Sequence, residues 1–225
     1  LLSATLKPES DQTISIKFSG SGPLKELYVQ CDAKGNVRGY VSQPDIDYVV
    51  DLGSINFSKA IGAGFLTVVK DLGIREPYSS TIPLSYGNIA EDVTYYLTVS
   101  EQVPSAMLLG LELDHDGRVV SSGGILIQTF PDTTDSTVSM LEENIKSLNS
   151  LRSIDETLGQ SLARDKNIYD IVSEIVNNEP LSIHEEYHLK SACRCNRKML
   201  EKTLSSLSVD ELTDMIEKDN GAEVT

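Results

Sequence analysis

Thr13-Ile14-Ser15-Ile16-Lys17-Phe18 is the stretch that decides the fold, because its polar and apolar residues alternate at every position. Alternation with a period of two predicts a β-strand that buries one face and leaves the other in water. Further strand patterns recur through the first part of the chain, at 27–33, 37–42, 65–70, 80–84, 107–113 and 118–130. The sequence therefore predicts a body rich in β-sheet.

The connections between these strands carry turn residues. Lys34-Gly35-Asn36 and Asp114-His115-Asp116-Gly117 each separate two strand patterns and predict hairpins. The second begins like a calcium loop, but the later acidic ligands of such a loop are missing, so we interpret it as a turn. Ser122-Gly123-Gly124-Ile125 predicts a bulge or a site of close approach. Between the strands, 88–101 predicts a helix whose apolar face carries Ile89, Val93, Tyr96 and Leu97.

After Phe130-Pro131 the apolar period changes from two to 3.6. Helical stripes follow, with capping boxes at 153–156 and 208–211 and a break at Pro180. We interpret the stripes as packing surfaces; they comprise Val138, Leu141, Ile145 and Leu148, then Ile168, Ile171, Val172 and Ile175, then Leu200, Leu204 and Leu207. The predicted architecture is α+β: a sheet-rich body with packed helices over 1–135, a helical segment over 136–190, and a small cysteine-bearing region over 191–225.

Composition excludes several kinds of partner. The 225 residues are 40% hydrophobic, which is enough for a packed core. Acidic residues outnumber basic ones by 34 to 19, and the net charge of −15 argues against a nucleic-acid partner, which requires a basic surface. No apolar run approaches the roughly 20 residues that cross a bilayer. With no secretory signal at the start, these observations predict a cytoplasmic protein without a membrane partner.

The cysteines provide the most distinctive local motif. There are three of them, too few for a disulfide scaffold, and two form Cys193-Arg194-Cys195. Thiolates bind zinc tetrahedrally, and two cysteines one residue apart supply half of the four ligands that a structural site takes. Neighbouring cations, Arg194, Arg197 and Lys198, favour the thiolate form. Cys31 lies in a strand pattern and is predicted to be a small core residue.

His184-Glu185-Glu186-Tyr187-His188 matches the HExxH pattern of zinc peptidases, in which one helix face presents both histidines. Pro180 leaves little helix before the motif, and no third ligand stands out downstream. A zinc metallopeptidase is therefore an alternative that the sequence does not favour, as is a mixed site of His184, His188, Cys193 and Cys195. A serine-hydrolase elbow, Gly-x-Ser-x-Gly, is absent, so we expect the chain not to be an enzyme.

Taken together, the motifs resemble the redox-regulated heat-shock holdases, the 33-kDa heat-shock protein family. The stretch Tyr95-Tyr96-Leu97-Thr98-Val99-Ser100-Glu101-Gln102-Val103-Pro104-Ser105 is very characteristic of that family. Further motifs follow in the family's order and cover nearly the whole chain, at 20–24, 33–41, 64–68, 84–92, 123–128 and 193–197.

The resemblance implies a mechanism. Reduced members bind one zinc through four cysteines, a CxC and a later CxxC, and oxidants form disulfides and expel the metal. The zinc domain and the adjoining helical linker then loosen and expose apolar surface, which holds unfolding proteins without ATP. The active form is typically a dimer. This sequence begins later than the family pattern and stops where the CxxC pair is expected, so it carries two of the four ligands.

Carried over to this chain, the resemblance makes Cys193 and Cys195 the zinc ligands of the reduced state and the disulfide partners of the oxidised state. Residues 136–190 become the redox-sensitive linker, and 191–225 part of the zinc-binding switch. The stripe at Leu141, Ile145 and Leu148 is a candidate surface for binding client proteins. A non-switching scaffold or dimerisation module is the remaining alternative, and it would not respond to oxidation.

Overall fold

The computed structural model describes residues 1–46, 50–51, 54–74, 76–152, 158–163, 167–192 and 197–219. The chain divides into two compact units, Leu1–Lys190 and Ser191–Thr225. Within the described residues, no helix is long and apolar enough to cross a membrane.

The first unit begins with a short 3₁₀ turn, Leu2–Thr5. Its strands are β1 (Thr13–Gly20), β2 (Glu26–Asp32), β3 (Asn36–Val41), β4 (Val50–Asp51), β5 (Ser54–Ile55), β6 (Gly64–Asp71), β7 (Tyr78–Pro83), β8 (Ser105–Leu113) and β9 (Val119–Gln128). Its helices are α1 (Phe57–Ile61), α2 (Ile89–Val99), α3 (Asp135–Arg152), α4 (Leu158–Ala163) and α5 (Ile168–Ile175). Strand β10 (Lys190–Ser191) crosses the boundary, and the second unit contains α6 (Arg197–Leu204) and α7 (Val209–Asp219).

The main sheet has the strand order β10-β3-β2-β1-β6-β7, and its longer strands are paired antiparallel. The alternation predicted for β1 is confirmed in part: Ile14 and Phe18 are buried on one face, but Ser15 on the other face is buried as well. On the other face Lys17 lies 3.5 Å from a carboxylate oxygen of Glu26 on β2. The predicted hairpin at 34–36 joins β2 to β3, with Gly35 at a φ of 79°. That left-handed conformation is one that glycine adopts without strain.

Helix α2 covers the apolar face of this sheet, and the predicted apolar face of the helix is confirmed. Asn88 caps the helix, its side-chain oxygen accepting from Glu91 N at 2.8 Å. Val93, Tyr96 and Leu97 are fully buried. They pack with residues of the sheet into what we call the first core, whose buried members also include Leu2, Leu6, Ile14, Phe18, Ala33, Ile61, Leu66, Val68 and Ile82.

Strands β8 and β9 form a separate two-stranded hairpin with a core on each face. Met107 and Leu126 pack against the first core. Leu108, one residue after Met107, and its cross-strand partner Ile125, one residue before Leu126, belong to a second cluster. We call this cluster the second core; helices α3, α4 and α5 complete it, and its buried members are Ile125, Leu158, Ile171 and Ile175.

The glycine pair at 123–124 marks a place where a helix lies close to the hairpin, and it is not a bulge. A Cβ built on Gly123 would lie 2.6 Å from a methyl carbon of Leu162 in α4. The register shift of the hairpin lies elsewhere, between Glu112 and Leu113. Opposite Gly123, a Cβ on Gly110 would lie 2.5 Å from Gly159 N. Small residues on both strands therefore let α4 lie directly on the hairpin.

The second unit confirms one predicted capping box. Ser208 N donates to Glu211 Oε2 at 2.9 Å, and Glu211 N donates back to Ser208 Oγ at 3.2 Å, at the start of α7. The capping box predicted at 153–156 lies outside the described residues.

Asp92 supports a first testable prediction, because it is a fully buried carboxylate in α2. Its Oδ1 accepts from Ser85 N at 2.9 Å and from Tyr86 N at 3.2 Å, which fixes the loop before the helix. Asp92→Ala removes this acceptor, and we expect the free energy of unfolding in urea to fall by about 1–3 kcal/mol. The control Glu91→Ala removes the neighbouring exposed carboxylate and should change stability by less than about 0.5 kcal/mol. Equal losses in the two variants would contradict the anchoring role.

Candidate functional site

Cys193 and Cys195, the predicted metal ligands and disulfide partners, fall in 193–196, outside the described residues. The chain on either side of them is described: β10 comes before and α6 after. Arg197, one of the cations expected to favour thiolates, has its Nε 2.8 Å from Glu201 Oε1 in the next turn of α6. Part of its charge is therefore balanced within the helix. The roles of both cysteines stay predictions.

Whether this sequence can bind a structural zinc ion depends on how many ligand side chains it offers. Such a site takes four tetrahedral ligands, and the Cys193–Cys195 motif offers two thiolates. Over the part of the chain that the structure describes, no group of three or more His, Cys, Asp or Glu side chains could hold a metal ion. Cys193 and Cys195 therefore supply half of the ligands of a structural zinc site.

The HExxH segment has none of the geometry that a zinc peptidase needs. That chemistry requires a helix, because a helix brings the side chains of residues four apart to about 5–6 Å, whereas an extended chain spaces them about 13 Å apart. Residues 180–189 form no helix, and His184, Glu185 and His188 are all exposed. Glu186 is bound elsewhere, its Oε1 accepting from Tyr169 OH at 2.9 Å. The segment from Pro180 to Leu189 forms neither helix nor strand, so the peptidase interpretation loses its structural basis. The mixed site of two histidines and two cysteines lies partly outside the described residues.

Cys31 is a packing residue, as the strand pattern predicts. It lies on β2 opposite Ile14 of β1 and Val37 of β3, and it packs against the first core. Burial raises the pKa of its thiol, so the group stays protonated near neutral pH. Because the thiolate is the reactive form, we do not place Cys31 in the redox site.

The apolar stripe of α3 is turned inward. Leu141 and Ile145 are half-buried and pack in the second core, whereas the side chain of Leu148 lies outside the described residues. Asn144 fastens this helix to the end of α5, with its Nδ2 donating to Ile175 O at 2.8 Å and to Asn177 Oδ1 at 2.9 Å. Ser121 Oγ on β9 donates to Gly159 O at 2.6 Å. The helical segment thus covers the outer face of the hairpin.

An apolar cavity of about 230 Å³ opens beneath the β3 edge of the main sheet. We call it the edge cavity; its wall includes Ile16, Val29, Cys31, Val37, Met107 and Leu109, and also the first three residues of the sequence, Leu1, Leu2 and Ser3. Leu189, from the segment after Pro180, also lines it. No charged side chain lines the cavity among the residues described. No local sequence pattern predicts the edge cavity, because its wall is assembled from elements far apart along the chain.

The chain is similar to known proteins in sequence and in overall fold. The 33 kDa chaperonin of Citrifermentans bemidjiense is 37% identical over 226 residues, which cover 100% of this chain and 74% of that protein. The 33 kDa chaperonin of Synechocystis sp. is 40% identical over 230 residues, which cover 100% of this chain and 73% of that one. The crystal structure of the 33 kDa chaperonin from Thermotoga maritima superposes with a TM-score of 0.81 at 31% identity, covering 100% of this chain and 74% of that one. These likenesses define the class: the chain is a chaperone.

The family follows from a match over the full sequence. The family model described as Hsp33 protein matches residues 1–225, and the chain belongs to this family. The resemblance and the α+β fold inferred from the sequence are both confirmed.

Proposed function

We propose that this chain is a redox-controlled holdase, which binds unfolding proteins without ATP and prevents their aggregation. Oxidation of Cys193 and Cys195, with loss of zinc, activates it. The active form is a homodimer in the cytoplasm, its partners are unfolded or partly folded proteins and not nucleic acid or membrane, and it catalyses no bond-making reaction. Family membership supports the chaperone part of this proposal.

The second core is the observation that carries the proposal. Its buried members, Leu158 of α4, Ile171 and Ile175 of α5, and Ile125 of β9, touch each other across the hairpin and the helical segment. Separation of the helices from the hairpin would bare this apolar surface together with Leu141 and Ile145. Newly exposed apolar patches bind other apolar chains, so the helical segment is suited to act as a cover.

The proposed switch is a two-electron oxidation. Hydrogen peroxide accepts two electrons from the thiols of Cys193 and Cys195, its O–O bond breaks, and one S–S bond forms. Both thiol hydrogens leave in the two water molecules that are produced. When bound, zinc would hold the two thiolates and contribute to the folding free energy of the second unit. Arg194 and Lys198 favour the thiolate, which is the form that attacks peroxide.

Light scattering of a heat-unfolding client protein tests the switch. Wild-type chain should suppress aggregation after peroxide and not after reduction by a thiol. The double variant Cys193→Ser/Cys195→Ser should give the same result in both conditions, because it lacks both thiols of the switch. The matched control is Cys31→Ser, which removes the remaining thiol of the sequence and should keep the wild-type response. A switch that depends on Cys31, or wild-type activity that is the same in both conditions, would contradict the proposal.

A further inference from the structure

The side chain of Asn144 in α3 holds the end of α5. Its Nδ2 donates to Ile175 O at 2.8 Å and to Asn177 Oδ1 at 2.9 Å. The last carbonyl groups of a helix have no partner within that helix, so the amide of Asn144 satisfies one of them from outside. Leu141 and Ile145 of the same helix pack in the second core. Asn144 is therefore the polar fastening beside the apolar contact between α3 and α5.

The thioether of Met140 lies against the same amide group. Met140 is one turn earlier in α3, and its Sδ is 3.2 Å from Asn144 Nδ2. A carboxamide nitrogen carries two hydrogens, and here three acceptors surround it. Thioether sulfur is a weak acceptor, so the sulfur is the least favoured of the three. Met140 is only half-buried, which leaves its side chain open to small oxidants in water.

We propose that Met140 is an oxidation site separate from the cysteine pair, at which methionine sulfoxide weakens the fastening between α3 and α5. Hydrogen peroxide accepts two electrons from the sulfur, its O–O bond breaks, and one of its oxygens forms an S–O bond. The other oxygen leaves as water and takes both hydrogens of the peroxide with it. No thiol takes part in this reaction, so the site goes beyond the proposed function of Cys193 and Cys195.

The added oxygen changes the hydrogen bonding around Asn144. A hydrogen-bonded oxygen keeps about 2.7–3.2 Å from its donor nitrogen. The 3.2 Å between Sδ and Nδ2 therefore leaves no room for an oxygen on the amide side of the sulfur, and one of the two side chains has to move. Rotation about the flexible bonds of methionine brings an oxygen on the other side to the same amide. That polar oxygen competes with Ile175 O for the amide hydrogens, so the fastening weakens.

Peroxide treatment of the Cys193→Ser/Cys195→Ser protein tests the site without the thiol switch. Peptide mass spectrometry should find one added oxygen on Met140. The melting temperature should fall by about 2–4 °C, the shift that loss of one ordinary hydrogen bond produces in a chain of this size. Amides of α5 should exchange about fivefold faster for the same reason. Methionine sulfoxide reductases of both stereochemical types should reverse the two changes.

Two methionines provide matched variants in this background. Met140→Leu should abolish both changes, because leucine has a similar volume and takes up no oxygen. Met215 of α7 is also half-buried but is not a member of the second core, so Met215→Leu should keep both changes. Cys31 is present in both variants, and its oxidation therefore cannot produce a difference between them. Circular dichroism verifies that both variants are folded.

Asn144→Ala tests the route from the sulfur to the helices. Without peroxide it should lower the melting temperature by at least about 2–4 °C, because it removes the amide that holds the end of α5. Peroxide should then cause no further fall, since the group on which the sulfoxide acts is gone. A further fall as large as that of the protein with Asn144 intact would contradict this route.

An unmodified Met140 under conditions that oxidise Met215 overturns the inference, as do equal responses of Met140→Leu and Met215→Leu. One hydrogen bond is too little to release the helices, so the oxidised double cysteine variant should still not gain the ability to suppress client aggregation. Aggregation assays of wild type separate the two proposals. Cysteine-dependent suppression, with equal melting of the two methionine variants, leaves the holdase and rejects the site. A melting shift that requires Met140, without suppression in any redox state, supports the site and rejects the holdase.

Discussion

Gly110→Val is expected to lift α4 from the β8–β9 hairpin and open the second core without any oxidant. A Cβ at this position would lie 2.5 Å from Gly159 N and 2.8 Å from Leu158 Cβ. Backbone and Cβ atoms of a packed helix cannot swing aside, and the two methyl groups of valine need still more room. Because Leu158 is a buried member of the second core, its displacement disrupts that core, at a cost of about 3 kcal/mol.

An apolar fluorescent dye such as anilinonaphthalene sulfonate measures this opening directly. Reduced Gly110→Val should bind the dye more strongly than reduced wild type and, on the proposed function, should suppress client aggregation without peroxide. Leu111→Val is the control: it puts the same branched side chain on the same strand, on the face turned away from α4. If the two variants bind dye equally, the close contact between Gly110 and α4 is not what keeps the helices on the hairpin.

Lys70→Met should produce the second large effect, by leaving a partly buried carboxylate without its cation. Lys70 Nζ on β6 lies 2.7 Å from Glu101 Oε2 after α2, and the two side chains are 15% and 21% exposed. The buried Tyr96 donates its hydroxyl to the other oxygen of Glu101. Removal of the ammonium group should lower the free energy of unfolding by about 2–3 kcal/mol near neutral pH. Lys70→Met/Glu101→Leu, which removes both charges, should recover part of that loss.

The pH dependence of this loss distinguishes an electrostatic cause from a packing cause. Burial, the largest single influence, would raise the pKa of Glu101, but hydrogen bonds from Lys70 and Tyr96, with the charge of Lys70, together lower it below the usual 4.5. A depressed pKa in the folded state gives stability that is present above the unfolded pKa and is lost as pH falls through the folded one. The difference between wild type and Lys70→Met should therefore be complete near neutral pH and shrink below about pH 4. Urea unfolding of both proteins at neutral pH and below about pH 4 measures this difference. A difference that stays the same at the two pH values would indicate lost packing alone.

Local periodicity explains why much of the fold could be predicted. The alternation in β1 and the apolar face of α2 are properties of neighbouring residues; the apolar face is confirmed, and the alternation is confirmed except at Ser15, which is buried. Elements without such periods were not predicted. Helix α1 has five residues, too few to establish a helical stripe, although Asn56 caps it by accepting from Lys59 N at 3.0 Å. The 3₁₀ turn at Leu2–Thr5 is shorter still.

The geometry of the candidate sites was harder to predict from the sequence than the fold. The HExxH pattern indicates a zinc site only where it lies in a helix. The structure has no helix over 180–189. The edge cavity depends on tertiary contact between β1, β2, β3, α2 and β8, so no local pattern predicts it. One sequence pattern could have indicated the two-sided hairpin. Met107, Leu108 and Leu109 are consecutive apolar residues, which is typical of a strand buried on both faces.

The contact of this hairpin with a core on each face has a consequence for amide hydrogen exchange. A two-stranded hairpin is only marginally stable in water, so β8 and β9 owe their protection against exchange to the layers on both sides. Amides in the middle of the main sheet, as in β1, keep a bonded neighbour on each side whatever the helices do. Loss of α3–α5 from the outer face should therefore speed exchange along 105–113 and 119–128 while β1 stays slow. Exchange rates of these two groups of amides would report, residue by residue, how far the cover has moved.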